Sequence, residues 1–207
     1  MKFDPQKHHR RSIRLQGYDY TQEGGYFVTI MAYQRECLLG EIVNSEMTLS
    51  KFGLVAKIQW DKLPKRFPNI ELGPFVVMPN HVHGIIQIIN ESRRGAAGNN
   101  DIRRGIAKGL KDSDPGSSRY APSHEFGKMI PGSIPAIIRS YKSSVAYRIN
   151  LMRGTKGLPV WPRNYYEHVI RDHEDWDRIH WYIKSNPSMW VKDKENPLDT
   201  KNDLDDL

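Results

Sequence analysis

The chain has 207 residues, of which 38% are hydrophobic and 27% charged, a size that suits one soluble domain with a full core and is short for two. Its formal net charge of +7 favours a polyanionic partner, with nucleic acid as the leading candidate. The single cysteine, Cys37, excludes an intramolecular disulfide and a cysteine-based zinc cluster and fits a reducing cytoplasm.

The first segment, residues 1–17, carries several basic side chains and few apolar ones, which predicts a basic arm outside the folded domain. It lacks the apolar stretch of a signal peptide, and no later run approaches the roughly 20 apolar residues of a membrane span. We therefore expect a cytoplasmic protein that does not bind membranes.

The folded domain is predicted to begin with strands and a helix. Residues 26–32 are rich in β-branched and aromatic side chains, which is typical of a strand, and residues 38–43 are a candidate neighbour. Ser50 fits the N-cap of a first helix that ends as Pro64 approaches. Its predicted apolar stripe is Leu54, Val55, Ile58 and Trp60.

A hairpin is predicted next, because residues 71–78 and 81–89 are apolar runs on either side of the turn signal Pro79-Asn80. Residues 90–128 then lose all apolar periodicity and are net basic. We expect an insertion here, either a solvated loop or one that grips DNA.

A second helix is predicted after Ser133, with an apolar stripe at helical spacing that should end near Gly154. Residues 160–170 are predicted to form one strand with a proline near its start. The stripe of the second helix is Ile134, Ile138, Tyr141, Val145, Ile149 and Met152.

The last predicted helix begins after the N-cap residue Asp172, and Pro187 should prevent much continuation beyond it. The domain thus spans residues 18–190, and residues 191–207 are predicted to be an acidic, disordered tail. The order strand, helix, strand, strand, helix, strand, helix fits an α+β fold of ferredoxin-like type, an antiparallel sheet with helices packed on one face.

Two clusters of polar side chains are candidates for chemistry. His81 and His83 alternate in a predicted strand and so share one face, where two imidazoles can bind a divalent metal if a third ligand joins them. Surface or hydrogen-bonded histidines are the alternative. Tyr182 and Asn186 lie one helical turn apart, where the phenol can reach a cleft and the amide can offer a ligand or merely cap the helix.

Three segments resemble motifs of the HUH (His-hydrophobic-His) single-tyrosine transposases, and the branch associated with repetitive extragenic palindromes (REP) matches best. The similarity runs from about Tyr18 to Trp190, with the motifs in family order. The segments are Met78-Pro-Asn-His-Val-His-Gly, Val160-Trp-Pro-Arg-Asn-Tyr-Tyr-Glu-His-Val-Ile-Arg and Tyr182-Ile-Lys-Ser-Asn-Pro.

The resemblance implies an HUH-nuclease fold and a metal-dependent single-stranded DNA endonuclease and strand transferase that recognises hairpin, palindromic DNA. It implies that His81, His83 and Asn186 hold Mg²⁺ or Mn²⁺ and that Tyr182 forms a 5′-phosphotyrosine intermediate. Many relatives have glutamine where this chain has Asn186. Both a homodimer and a monomer are compatible with the sequence.

The region of the second helix and the following strand is predicted to bind single-stranded DNA, because basic residues outnumber acidic ones there and aromatic rings lie among them. A plain solvated basic face is the alternative. The candidate DNA-binding residues are Arg139, Lys142, Arg148, Trp161, Arg163, Asn164 and Tyr165.

Other functions were weighed against this one. A phosphodiesterase with two His-x-[Ser/Thr] motifs lacks a second motif here, and a histidine-triad hydrolase would need a third alternating histidine where Ile85 lies. The non-enzymatic alternative is a domesticated protein that binds DNA hairpins with little or no turnover. The intact set of His81, His83 and Tyr182 favours the enzyme.

Overall fold

The computed structural model describes residues 18–89 and 130–197. The predicted basic arm at 1–17, the predicted insertion at 90–128 and the end of the predicted tail, 198–207, lie outside the described residues.

A four-stranded antiparallel sheet forms the centre of the fold, in the strand order β4-β5-β1-β6, and β2 and β3 form a separate hairpin. Every residue of β5 is buried, because β5 lies between β4 and β1. The strands are β1 (Gly24–Met31), β2 (Gly40–Val43), β3 (Glu46–Leu49), β4 (Ile70–Val77), β5 (His81–Ile88) and β6 (Tyr166–Ile170).

The helices begin at the predicted N-caps. The side chains of Ser50, Ser133 and Asp172 each accept a hydrogen bond from a backbone N–H in the first turn, which satisfies donors that the helix itself cannot pair. The helices are α1 (Lys51–Asp61), α2 (Leu63–Arg66), α3 (Ile134–Met152) and α4 (His173–Met189), with 3₁₀ turns at Tyr33–Arg35 and Trp190–Lys192.

The helices lie on both faces of the sheet, so the α+β antiparallel architecture is confirmed but the prediction of helices on one face is wrong. Helices α1 and α3 pack against one face of β1 and β5, in a core that includes Val28 and Val82. Helix α4 packs against the opposite face, where Trp176 and Ile183 contact Phe27 and Ile85. Strands β1 and β5 have apolar side chains on both faces, such as Phe27 beside Val28, which allows this second layer.

The predicted buried stripe of α1 is partly wrong, since Leu54 is 50% and Ile58 38% exposed. The helix instead turns its small residues Gly53 and Ala56 toward the core. A side chain at Gly53 would collide with the carbonyl of Leu39, so this position of the buried face requires a glycine, whereas Trp60 on the same face is buried as predicted.

The strand predicted at residues 160–170 is also shorter than expected and covers only β6. Pro162 lacks a ladder donor, and the ammonium of Lys142 donates to the carbonyl oxygens of Pro162, Arg163 and Asn164 at 2.5, 2.9 and 3.4 Å. These carbonyls therefore pair with a side chain rather than with a neighbouring strand.

The C-terminal end of the domain extends beyond its predicted limit. Helix α4 includes Pro187 and ends at Met189, since a proline in the last turn removes only one intrahelical donor. Residues 191–197, predicted to belong to a disordered tail, instead pack against the sheet, where the side chain of Asn80 donates to the carbonyl of Glu195 at 2.6 Å. No helix of the described ranges has the length and apolar character to cross a membrane.

Candidate active site

Strand β5 carries both histidines on the face that α4 covers. On the other face, a side chain at Gly84 would collide with the ring of Trp60, which stacks on Phe75 with 4.5 Å between centroids. The glycine therefore lets α1 pack directly on the strand beside the histidines. This close packing fixes the backbone from which His81 and His83 project.

The two imidazoles converge on one point. His81 Nε2 and His83 Nε2 are 2.9 Å apart, and the side chains are 0% and 3% exposed. Two ligand atoms about 2.1 Å from one ion and at right angles to each other are separated by about 3 Å. The pair thus has the spacing of two ligands of one metal ion.

Asn80 fixes the tautomer of His81. Its side-chain nitrogen donates to the carbonyl oxygens of Glu195, at 2.6 Å, and Arg35, at 3.3 Å, so its oxygen faces His81 Nδ1 at 2.8 Å. His81 Nδ1 must therefore carry the proton and donate it. The lone pair of His81 Nε2 is left free for an ion.

Thr29 hydrogen-bonds with His83 but does not fix its tautomer. Its hydroxyl lies 2.8 Å from His83 Nδ1 and can either donate or accept. Without an ion, His83 Nε2 donates to the Nε2 of His81 and the Thr29 hydroxyl donates to His83. When the hydroxyl accepts instead, both Nε2 atoms offer lone pairs to an ion.

Burial keeps both imidazoles uncharged at neutral pH. It lowers the pKa of His81 from 6.5 to about 4 and that of His83 well below 6.5, the latter helped by the neighbouring His81. Neutral imidazole is the form that binds metal, so the site does not have to lose protons first at neutral pH.

Tyr182 reaches the histidine pair from α4. Its hydroxyl is 3.3 Å from His83 Nε2, and its ring contacts Phe27 edge to face while the side chain stays 41% exposed. Burial raises the pKa of the phenol, a hydrogen bond with Asn186 opposes this, and the charges of Asp193 and Glu195 raise it further. The hydroxyl therefore needs an additional positive charge nearby to become a good nucleophile at neutral pH.

Asn186 offers the third donor that two histidines require. It is 2% exposed, and its side-chain oxygen has no hydrogen-bond partner among the described residues. A buried amide oxygen without a partner is costly unless a ligand satisfies it. A nitrogen and oxygen donor set of His81, His83 and Asn186 is of the kind that could hold Mg²⁺ or Mn²⁺.

A carboxylate from the C-terminal segment also borders the site. Asp193 Oδ2 is 3.8 Å from His81 Nε2, a contact that the sequence analysis missed. Within residues 18–89 and 130–197, no group of three His, Cys, Asp or Glu side chains is close enough to hold a metal unaided. A metal held by the histidine pair would therefore need a donor of another kind, such as the amide oxygen of Asn186.

Most of the predicted DNA-binding residues gather away from the histidines, on the α3 side of the sheet. They line a cavity of about 880 Å³ between α3, residues 18–21 and residues 157–165. The candidates that line it are Arg139, Lys142, Trp161, Arg163 and Tyr165. Arg148 and Asn164 are exposed but do not line the cavity.

Two of these candidates have structural roles. Trp161 is 8% exposed and belongs to the main core, and the ammonium of Lys142 holds the carbonyls of residues 162–164. Arg139 and Arg163 are exposed and free to meet a ligand at the cavity mouth. The direct role of each candidate in DNA binding stays a prediction.

Comparison with known proteins identifies one close relative and one shared fold. The chain is 37% identical over 193 residues to a protein of Haemophilus influenzae (strain Rd) described as uncharacterized, an alignment that covers 93% of this chain and 96% of the relative. No family model matches the chain. Its fold resembles that of a REP-associated tyrosine transposase bound to a REP hairpin, with a TM-score of 0.51, 19% identity and coverage of 88% of this chain and 77% of that one.

Proposed function

We propose a function for this chain from the premise that it belongs to one family with the Haemophilus influenzae protein and has the fold of a REP-associated tyrosine transposase. It is a metal-dependent endonuclease and strand transferase that acts on single-stranded DNA. The observation that carries the proposal is the convergence of Tyr182 with His83 at 3.3 Å and of His83 with His81 at 2.9 Å.

The proposed metal ligands are His81, His83 and Asn186, and the ion is Mg²⁺ or Mn²⁺. A bound divalent ion polarises a phosphodiester and offsets the negative charge that develops when it is attacked. Three observations support this set. The imidazoles are neutral, and the lone pair of His81 Nε2 can point at an ion. The side-chain oxygen of Asn186 has no hydrogen-bond partner among the described residues.

Tyr182 is the proposed nucleophile. Its oxygen attacks phosphorus, the bond from phosphorus to the 3′-oxygen breaks, and a 5′-phosphotyrosine forms. The phenol loses its proton to solvent, and the leaving 3′-oxygen takes up a proton from solvent to become a 3′-hydroxyl. Because the phosphotyrosine retains an ester bond, a second DNA 3′-hydroxyl can displace Tyr182 and rejoin strands without ATP. The contact with His83 of the same chain supports catalysis within one chain, as a monomer or in a dimer.

The DNA partner is proposed to be a hairpin with an adjacent single strand. The related fold was solved with a REP hairpin. In this chain, exposed Arg139 and Arg163 at the cavity beside α3 supply the positive charge that phosphates need. A protein acting on chromosomal DNA would work in the cytoplasm, which fits the free thiol of Cys37.

The test uses hairpin DNA with a single-stranded flank, labelled at either end, incubated with the protein and Mn²⁺. We expect a denaturation-resistant adduct that carries the 3′-labelled fragment, while the 5′-labelled fragment is released. EDTA and Tyr182→Phe should both abolish the adduct. Tyr147→Phe, which changes a tyrosine that is 69% exposed on α3, is the matched control and should retain it.

Two results would count against catalysis. Hairpin binding that weakens with salt but never yields an adduct would favour the non-catalytic binding protein. An adduct that survives Tyr182→Phe would assign the nucleophile to another residue.

A further inference from the structure

The carboxylate of Asp193 lies beside the histidine pair without a positive charge to balance it. Its side chain is 10% exposed, and Oδ2 is 3.8 Å from His81 Nε2. In the part of the chain that the structure describes, neither Lys nor Arg forms an ion pair with Asp193. A carboxylate shielded from water without a counter-charge is costly, and a cation bound between Asp193 and the histidines would offset that cost.

The segment that carries Asp193 is held firmly in position. The N–H of Glu195 donates to Asp193 Oδ1 at 2.9 Å, which leaves Oδ2 directed toward the histidines. The carbonyl of Glu195 accepts from Asn80, and its carboxylate pairs with Arg35 at 3.2 Å. These contacts tie the segment to the residue that orients His81 and to the 3₁₀ turn after β1.

A second donor near the pair also lacks a partner. The side-chain oxygen of Asn186 is buried and accepts no hydrogen bond from the described residues. The side chain of Asn186 hydrogen-bonds with Tyr182, whose hydroxyl is 3.3 Å from His83 Nε2, while Asp193 Oδ2 is 3.8 Å from His81 Nε2, so the amide and the carboxylate both lie near the histidine pair. A carboxylate adds a negatively charged oxygen ligand of the kind that Mg²⁺ and Mn²⁺ prefer, which two neutral imidazoles and a neutral amide do not provide.

We propose that Asp193 is a fourth ligand of the divalent ion, joining His81, His83 and Asn186. This inference rests on the proposed function, because it assumes that the histidine pair binds a metal. It gives the C-terminal segment a direct part in the active site.

The test is a titration of the metal-free full chain with Mn²⁺. Calorimetry measures the affinity, and electron paramagnetic resonance reports on the ligands of the bound Mn²⁺. Asp193→Asn keeps the acceptor for the Glu195 N–H and removes the charge. We expect it to weaken Mn²⁺ binding about tenfold or more and to change the spectrum of bound Mn²⁺. Asp61→Asn makes the same change of charge on α1, across the sheet, and should leave both measurements unchanged.

His81→Ala separates the two hypotheses. If the unaltered chain binds Mn²⁺ and His81→Ala abolishes this binding, the histidine pair is a metal site. If Asp193→Asn then binds Mn²⁺ as tightly as the unaltered chain, Asp193 is not a ligand. If the unaltered chain binds no Mn²⁺, the proposed function itself fails. Weakened binding in Asp193→Asn with an unchanged spectrum would also overturn direct ligation.

Discussion

The hydroxyl of Tyr182 lies 3.3 Å from Nε2 of His83, although 99 positions separate them in the sequence. The contact depends on two layers of packing. Trp60 packs against one face of β5 at Gly84, and α4 packs against the other face through Trp176 and Ile183. The fold thus places a helix-borne phenol over a strand-borne pair of imidazoles.

Asn80 is predicted to control metal affinity through His81. In Asn80→Ala, Nδ1 of His81 loses its acceptor and the backbone carbonyls of Arg35 and Glu195 lose their donor. We expect Mn²⁺ affinity to fall about 10- to 100-fold and the free energy of unfolding to fall by about 1–3 kcal/mol. Calorimetric titration and urea unfolding measure the two effects. Asn164→Ala, at an exposed position, is the control, and equal Mn²⁺ affinity in both variants would refute the role.

Stability of the metal-free protein is predicted to depend on the buried histidines. Burial lowers the pKa of His81 from 6.5 to about 4, so between these values the unfolded chain binds a proton that the folded chain does not. The free energy of unfolding should therefore fall as pH drops from about 6.5 toward 4, by about 3 kcal/mol at most for this residue.

Urea unfolding in EDTA at several pH values within that window measures the dependence. His81→Gln should flatten it, whereas His173→Gln, at an exposed position at the start of α4, should not. A metal-free protein whose stability does not change across this range would show that the imidazoles are not held neutral by the fold.

Gly84 is predicted to be required for packing beside the histidines. A Cβ there would lie 2.9 Å from Phe75 Cδ2 and would collide with the ring of Trp60. Gly84→Ala should lower the free energy of unfolding by about 1–3 kcal/mol. A double-mutant cycle with Trp60→Leu should show that the two substitutions together cost less than their sum. If the two costs add, the ring of Trp60 is not what excludes a side chain at Gly84.

Arg139 is predicted to contact DNA phosphate at the cavity beside α3. Arg139→Ala should weaken hairpin binding and reduce the slope of log affinity against log salt by about 1. Fluorescence anisotropy over a range of salt concentrations measures both. Lys57→Ala, which removes a charge paired with Asp61 on α1, is the control. If the two variants bind with the same slope, the cavity does not engage DNA.

The sequence predicts much of this site because its signals are local. Alternation in β5 places His81 and His83 on one face, and the Asp172 N-cap fixes the register of α4 that carries Tyr182 and Asn186. The family resemblance joins these two clusters, which composition and spacing leave separate. The HUH-type α+β fold is confirmed, whereas the site roles remain proposals.

What the sequence does not predict depends on long-range contacts. Residues 191–197 are polar and resemble a solvated tail, yet they are ordered by the hydrogen bond between Asn80 and the carbonyl of Glu195, 115 positions apart. Helix α1 approaches the backbone of Leu39 at Gly53, where a Cβ would collide with the Leu39 carbonyl, and hydrophobic periodicity does not reveal such a contact. The sequence does not reveal that Asp193 lies near His81, because Asp193 belongs to this C-terminal segment, whose position depends on contacts with distant residues.

The most direct test of the central claim is to identify the residue that becomes bonded to DNA. The adduct formed with hairpin DNA and Mn²⁺ is digested with nuclease and protease and analysed by mass spectrometry. The account predicts a nucleotide attached through a 5′-phosphate to the peptide that contains Tyr182. Attachment at another residue, such as Tyr165 or Tyr166, or no attached nucleotide, would contradict it.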